Sequence, residues 1–277
     1  MQHFSASDGA RIAYRDEGEG RPIVLLHGLM AHAGFFDAQR GLAADFRLVA
    51  VDLRGHGASR GGGAPTVARI AEDVAELAAE LGLDDAIGVG WSLGASVLWR
   101  LLVGPASSRF AGAVVVDMTP RVQNGDDWTL GLSEEACEAR TVAIRDDFHT
   151  FAGSAGAAIF AQPLEERSRP LAAWAAEEFA RNDPRAMGAL WASLIEEDLR
   201  PLLGRIRQPT LVVHGAQSHL YGSGTADHLV SVLPNARAVE FSRSGHAPQL
   251  EEPELFNRTI RDFAAAVPPV RSEPLEA

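Results

Sequence analysis

Apolar and polar positions along this chain fall into two alternating regimes. Short unbroken apolar runs, each closed by turn residues, occur at Ile23 to Leu26, Leu48 to Val51, Ala86 to Val89, Ala113 to Val116 and Thr210 to Val213, with a further strand-like run at Arg237 to Glu240. A run that is apolar at every residue suits a strand buried on both faces, the habit of parallel sheets. Between these runs lie stretches with apolar residues three and four apart, clearest in Val67 to Leu81 and Pro253 to Ala266. The second opens on Pro and acidic residues, which favour a helix start. Two opening strands, Gln2 to Ser5 and Arg11 to Tyr14, flank a turn at Ser7-Asp8-Gly9, where Gly tolerates the positive φ that hairpins need. The alternation predicts an α/β fold with a mostly parallel central sheet and helices on both faces.

The strand pattern stops between Pro120 and Pro201. There the chain turns helical, acidic and aromatic, with Trp128, Phe148, Phe151, Phe160, Trp174, Phe179 and Trp191. A separate helical lobe needs something of its own to bury, so most of these rings are expected in its small core. A minority, including Trp128 and a Phe, are expected to line a ligand pocket. The organisation that follows is one core domain, residues 1–120 and 201–277, interrupted by a helical lobe at 121–200. Pro268 to Ala277, with three prolines and several charges, reads as a loose tail.

With 277 residues, 46% hydrophobic and 22% charged, the chain is long enough for one sizeable core and shows no sign of disorder. Its net charge of -12 disfavours nucleic acid and anionic membranes as partners, because both attract basic residues. All 25 basic residues are Arg, so Schiff-base and lysine-base chemistries are excluded. The single cysteine, Cys137, rules out an internal disulfide and fits a structural role in a reducing compartment. The first residues carry neither a basic start nor an apolar run, and no stretch approaches the roughly 18 apolar residues of a membrane span, so the cytoplasm is the expected location. Self-association as a homodimer is left open.

The densest chemical signal is Gly90-Trp91-Ser92-Leu93-Gly94, which follows the Ala86 run and precedes a helix-like stretch, Ala95 to Leu102. It has the form of a nucleophile elbow, in which a serine stands on a strained strand-to-helix turn and the glycines permit close strand–helix approach. Other strand ends carry their own signatures: His27-Gly28, Asp52-Leu53-Arg54-Gly55-His56-Gly57, His214-Gly215 and Ser244-Gly245-His246-Ala247-Pro248. In their order and spacing these motifs resemble the α/β-hydrolase family across roughly residues 2 to 266.

That resemblance implies roles. Ser92 would be the nucleophile, and a serine hydroxyl needs a base within hydrogen-bond reach and an acid to hold the base's tautomer. The family's base stands in the loop after the final strand, here His246, whereas His214 ends a strand and reads as a packed, satisfied ring. Many members place the acid three residues after the Gly that ends the seventh strand, but Ser218 occupies that position. The acid is therefore expected at Asp117, after the sixth strand, as in a subgroup of the family; Asp227 and Glu251 are the fallbacks. The backbone amides of Leu29 and Leu93 match the family's oxyanion-hole positions. His27, with Gly28, sits at the family's pocket edge, and Trp91 and Trp128 complete the expected substrate contacts. The lobe at 121–200 corresponds to the family's cap, inserted after the sixth strand, and Arg54 to Gly57 is expected to be structural.

The function implied is a serine hydrolase of small carboxylic esters or lactones bearing an apolar group. A nucleophilic Ser argues against the dehalogenase and epoxide-hydrolase branches, which use Asp. No HExxH, CxxC or GxGxxG pattern calls for a metal or a dinucleotide, so no cofactor is expected. The alternatives are thioester, carbon–carbon or cofactor-free lyase chemistry on the same triad, or a slow-turnover ligand sensor; the fold does not separate them.

Overall fold

The computed structural model describes residues 1–125 and 127–270. The expected loose tail lies, from residue 271 on, outside them. Eight strands form one sheet: β1 (Gln2–Ser5), β2 (Arg11–Glu17), β3 (Pro22–Leu26), β4 (Arg47–Val51), β5 (Ala86–Trp91), β6 (Phe110–Val116), β7 (Thr210–Gly215) and β8 (Ala236–Phe241). Their order across the sheet is β1-β2-β4-β3-β5-β6-β7-β8. β1 and β2 pair antiparallel, as do β2 and β4, and every other neighbouring pair is parallel. β3, β5, β6 and β7 are buried at every residue, which is why they read as continuous apolar runs. The edge strand β8 leaves three of its six residues exposed, and its apolar signal is correspondingly weak.

β2 runs three residues beyond its expected end at Tyr14. Arg15, Asp16 and Glu17 are polar, yet they pair in register with Ala50, Val49 and Leu48. Asp16 meets Arg47 at 2.7 Å, and Glu17 meets Arg40 at 2.7 Å. Cross-strand and neighbouring ion pairs extend the strand where hydrophobicity does not.

The helices are α1 (Val67–Glu80) and α2 (Leu93–Val103), then, after β6, α3 (Glu134–Asp146), α4 (Phe148–Ala158), α5 (Arg169–Ala180), α6 (Pro184–Glu196) and α7 (Arg200–Leu203). After β7 comes α8 (Ser223–Val232), then, after β8, α9 (Pro248–Glu251) and α10 (Pro253–Ala266). α1 buries Val67, Ile70, Val74 and Leu77, one face of its period, and its start is capped by the Thr66 hydroxyl, which accepts from the Arg69 amide at 3.1 Å. α10 buries Phe256, Ile260 and Phe263 on one stripe and packs with the short-turn segment Ala33–Ala44, while α1 packs with α2, so helices cover both faces of the sheet.

The described residues between 121 and 200 contribute no strand to the sheet. Their entry and exit are held together: Arg121 and Asp198 form an isolated antiparallel bridge, and the Leu199 amide donates to the Pro120 carbonyl at 2.9 Å. Both ends therefore leave from one point beside the carboxyl end of β6. Among the described residues no helix is long and apolar enough to cross a membrane.

Candidate active site

The strand β5 ends at Trp91 and α2 begins at Leu93, leaving one residue to make the turn. Ser92 makes it with φ 53° and ψ -121°, a region that costs a non-glycine residue on the order of 1–3 kcal/mol. The surrounding structure over-determines this conformation. The Ser92 amide donates to the Val116 carbonyl at 2.9 Å, and its own carbonyl accepts from Ala95 at 2.8 Å. The two glycines make the turn physically possible: a Cβ on Gly90 would overlap the Gly94 carbonyl, and a Cβ on Gly94 would overlap the Leu26 carbonyl of β3. The strain thus lifts the Ser92 side chain off the sheet edge into a cavity of about 210 Å³ that it shares with Gly28, Leu29, Trp91 and His246.

His246 stands in the loop between β8 and α9. It is 3% exposed, flanked by the Trp91 ring at 5.6 Å and the Tyr221 ring at 5.9 Å between centroids. The Trp91 indole N–H donates to the His246 carbonyl at 2.7 Å, fixing the loop against the strand that carries the elbow. His246 Nδ1 donates to Asp117 Oδ2 at 2.5 Å. An ionised carboxylate only accepts, so the proton sits on Nδ1 and Nε2 is left as an acceptor.

Asp117 follows β6 with φ 45°, another left-handed non-glycine position, tolerated best by Asp and Asn. Its amide donates to the Val213 carbonyl of β7 at 2.8 Å, so the neighbouring parallel strand sets its direction. Oδ2 also accepts from Ser218 Oγ at 2.7 Å. The serine that replaces the commoner acid is thus a hydrogen-bond donor to the acid present, while Asp117 Oδ1 is buried without a partner among the described residues.

The two fallback acids do not reach the ring. Asp227 is exposed on α8. Glu251 is buried and turned to the backbone: Oε2 accepts from the Gly245 amide at 2.6 Å and Oε1 from the Ala161 amide at 2.9 Å. One carboxyl therefore clamps the residue before His246 to the segment that follows α4. Burial pushes it up to about 7, against the pull of those two amides. Between the ordinary carboxyl value and about 7 the folded chain holds a proton that the unfolded chain has released, so this group's stabilisation is full at low pH and is lost as pH rises through neutrality. Glu251→Gln removes that titration. From pH 5 to 8 the wild type is expected to lose about 2 kcal/mol more stability than the variant, read as melting temperature against pH; parallel curves for the two proteins would reject it.

Neither oxyanion candidate is occupied internally: among the described residues the Leu29 and Leu93 amides meet no protein acceptor. The turn carrying Leu29 is braced by two histidines. His27 Nδ1 donates to the Gly28 carbonyl at 2.8 Å, and its Nε2 accepts from the Leu53 amide at 3.0 Å. His56 Nε2 accepts from the Met30 amide at 3.1 Å, holding Met30 at φ 65°. Complete burial lowers both imidazoles to about 3, so each stays neutral. Sequence alone sets His56 aside; its work is to hold the turn two residues past Gly28.

Three expectations are corrected. His27 does not contact the cavity: its ring is fully buried under the turn, 4.9 Å from His56, with both nitrogens committed to backbone. Trp128 also lies elsewhere. Its indole N–H donates to the Arg121 carbonyl at 2.9 Å within its own turn, and its ring packs on His228 at 4.8 Å and under Arg200 at 5.3 Å. His214 is buried but not satisfied, since Nδ1 has no hydrogen-bond partner among the described residues. The aromatic wall comes instead from Phe151, Phe179, Trp191 and Tyr221. Arg54 is structural as expected, bound to Asp73 at 2.6 Å and Asp8 at 2.8 Å, and Cys137 is buried with its thiol pushed up by desolvation.

A family model described as the alpha/beta hydrolase fold matches residues 21–253. Over 252 residues the chain is 33% identical to the pimeloyl-[acyl-carrier protein] methyl ester esterase of Nitrosomonas europaea, covering 89% of this chain and 97% of that protein. It is 30% identical over 266 residues to the protein of the same name from Nitrosospira multiformis, covering 89% and 95%. Among solved structures, an esterase from Exiguobacterium antarcticum superposes with TM-score 0.89 at 25% identity, covering 95% of this chain and 99% of that one. The esterase RhEst1 from Rhodococcus superposes with TM-score 0.82 at 28% identity, covering 96% and 99%.

Proposed function

Since the chain belongs to the alpha/beta hydrolase fold family, we propose that it is a serine hydrolase of small carboxylic esters and lactones, with Ser92 as nucleophile, His246 as base and Asp117 as acid. The observation that carries the reading is the bond from His246 Nδ1 to Asp117 Oδ2, 2.5 Å long, beside a strained serine that shares the same cavity. Ser92 Oγ attacks the ester carbonyl as His246 Nε2 takes its proton. The oxyanion forms against the amides of Leu29 and Leu93, and His246 returns the proton to the departing alkoxide. Water, deprotonated by the same nitrogen, then cleaves the acyl-enzyme.

We read residues 121–200 as a cap over this site, supplying Phe151, Phe179 and Trp191 to the apolar wall. The cavity, about 210 Å³, falls below the ~300–1,000 Å³ of pockets that enclose drug-sized ligands, which favours a small substrate. The named relatives act on an ester carried by a protein. Here residues 121–200 hold fifteen Asp and Glu against eight Arg, a surface that repels an acidic carrier, so a free ester suits this chain better.

Hydrolysis of a panel of p-nitrophenyl esters and lactones tests the reading. Multiple turnovers preceded by a burst equal to the enzyme concentration are expected, with the acyl group found on Ser92 by mass spectrometry. Single slow turnover with a large thermal shift would make the protein a ligand sensor, and no acylation with any ester would point to lyase chemistry.

A further inference from the structure

One charged side chain interrupts the apolar wall of the cavity beside Ser92. Arg140, on α3, lines it with Phe151, Ile159, Trp191, Leu194 and Tyr221. Its guanidinium lies 5.6 Å from the centroid of the Trp191 ring, a cation–π contact that orients the group while leaving its N–H donors unspent. In a chain with 37 Asp and Glu against 25 Arg, a paired arginine is the default. Of the other seven arginines at 121–200, Arg121, Arg145, Arg167, Arg181 and Arg200 each hold a carboxylate within 4.0 Å, and Arg169 and Arg185, which hold none among the described residues, do not line the cavity. Arg140 holds none among the described residues.

The helix itself denies it one. The positions three and four residues away are Ala136, Cys137, Ala143 and Ile144, so no acid on α3 can fold back onto it. Tyr221 lines the same cavity, buried and close enough that the charge of Arg140 pulls its phenol down while burial, the larger effect, pushes it up. A planar fork of donors with no carboxylate partner among the described residues, set at the wall of a largely apolar cavity, matches the geometry of a carboxylate.

We propose that Arg140 recognises a carboxylate at the end of the substrate remote from the scissile bond, so that the preferred esters have an apolar body and an anionic tip, as in half-esters of straight-chain dicarboxylic acids. The proposal rests on the ester-hydrolase reading above and narrows its substrate class. The apolar body packs on Trp91, Phe151 and Leu194, and the tip exchanges water for the guanidinium in a cavity of low polarity, where a charge-assisted pair is strong.

The test compares kcat/KM for monomethyl esters of dicarboxylic acids with that for methyl esters of monocarboxylic acids of equal length. The wild type is expected to favour the charged ester by roughly 10–100-fold, the worth of a charge-assisted bidentate contact. Arg140→Met should bring the charged-to-neutral ratio to about one, and Arg140→Lys should restore part of it, since an ammonium supplies charge without the fork. A wild type with no preference for the charged ester, or a ratio that Arg140→Met leaves unmoved, overturns the proposal. Calorimetric binding of the charged half-ester to Ser92→Ala, with and without Arg140→Met, separates this outcome from failure of the hydrolase reading. Arg140-dependent affinity in a protein that hydrolyses neither ester would keep the proposal and discard the hydrolase; turnover of neutral esters with Arg140-independent affinity would do the reverse.

Discussion

Ser92→Ala is expected to lower kcat for p-nitrophenyl esters by about 10⁵–10⁶-fold, the scale on which removal of a serine nucleophile collapses a working triad. The residue contributes its oxygen and little else. Its Cβ and its left-handed backbone are the same for alanine, and the contacts that hold the turn, from its amide to Val116 and from Ala95 to its carbonyl, are backbone to backbone. The variant should therefore melt within a few degrees of the wild type and still bind substrate, so loss of turnover cannot be charged to unfolding. Some rate above the uncatalysed reaction should survive, because the Leu29 and Leu93 amides and the cavity remain; in serine-protease triads that remainder is roughly 10³–10⁴ over water. Activity within tenfold of the wild type would remove Ser92 from the chemistry, whatever its place in the elbow.

How much of this was legible beforehand depends on what sort of force placed each residue. Strands β3, β5, β6 and β7 announce themselves because strands buried on both faces must be apolar throughout, and the elbow announces itself because only glycine clears the Gly94 and Leu26 carbonyls. Ser92, Asp117 and His246 are named by the resemblance of the strand-end motifs to the α/β-hydrolase family, and a parallel sheet, which gathers its carboxyl ends on one edge, makes that grouping physically reasonable. The cavity wall was less legible. Trp128 and Trp191 are both tryptophans in the same acidic stretch, and nothing local says that one satisfies its N–H inside its own turn while the other lines the cavity. Which ring faces which space is decided by how five helices pack, and helix packing leaves little trace at single positions. Arg140 did leave a trace, the uncharged residues one turn to either side, but it acquires meaning only beside a cavity.

The acid offers the sharpest division between fold and chemistry. Asp117→Asn keeps the shape and the tolerance for φ 45° but turns an amide group toward His246 Nδ1, so the ring carries its proton on Nε2 and that nitrogen cannot accept one from Ser92. By analogy with serine-protease triads the cost in kcat is about 10⁴-fold. A loss below tenfold would return the role to another carboxyl. Ser218 provides a second step. Its Oγ lies 2.7 Å from the oxygen that binds His246, so a carboxylate at that position comes within reach of the same nitrogen. Asp117→Asn/Ser218→Asp is therefore expected to recover at least tenfold over Asp117→Asn, a gain on the scale of one charge-assisted hydrogen bond. If the double variant is no faster than the single one, the loop after β7 does not bring a longer side chain onto Nδ1, and the acid after β6 is a requirement of this backbone. If it recovers, the two strand ends are interchangeable supports for one imidazole, and what the fold conserves is the place of the charge beside His246.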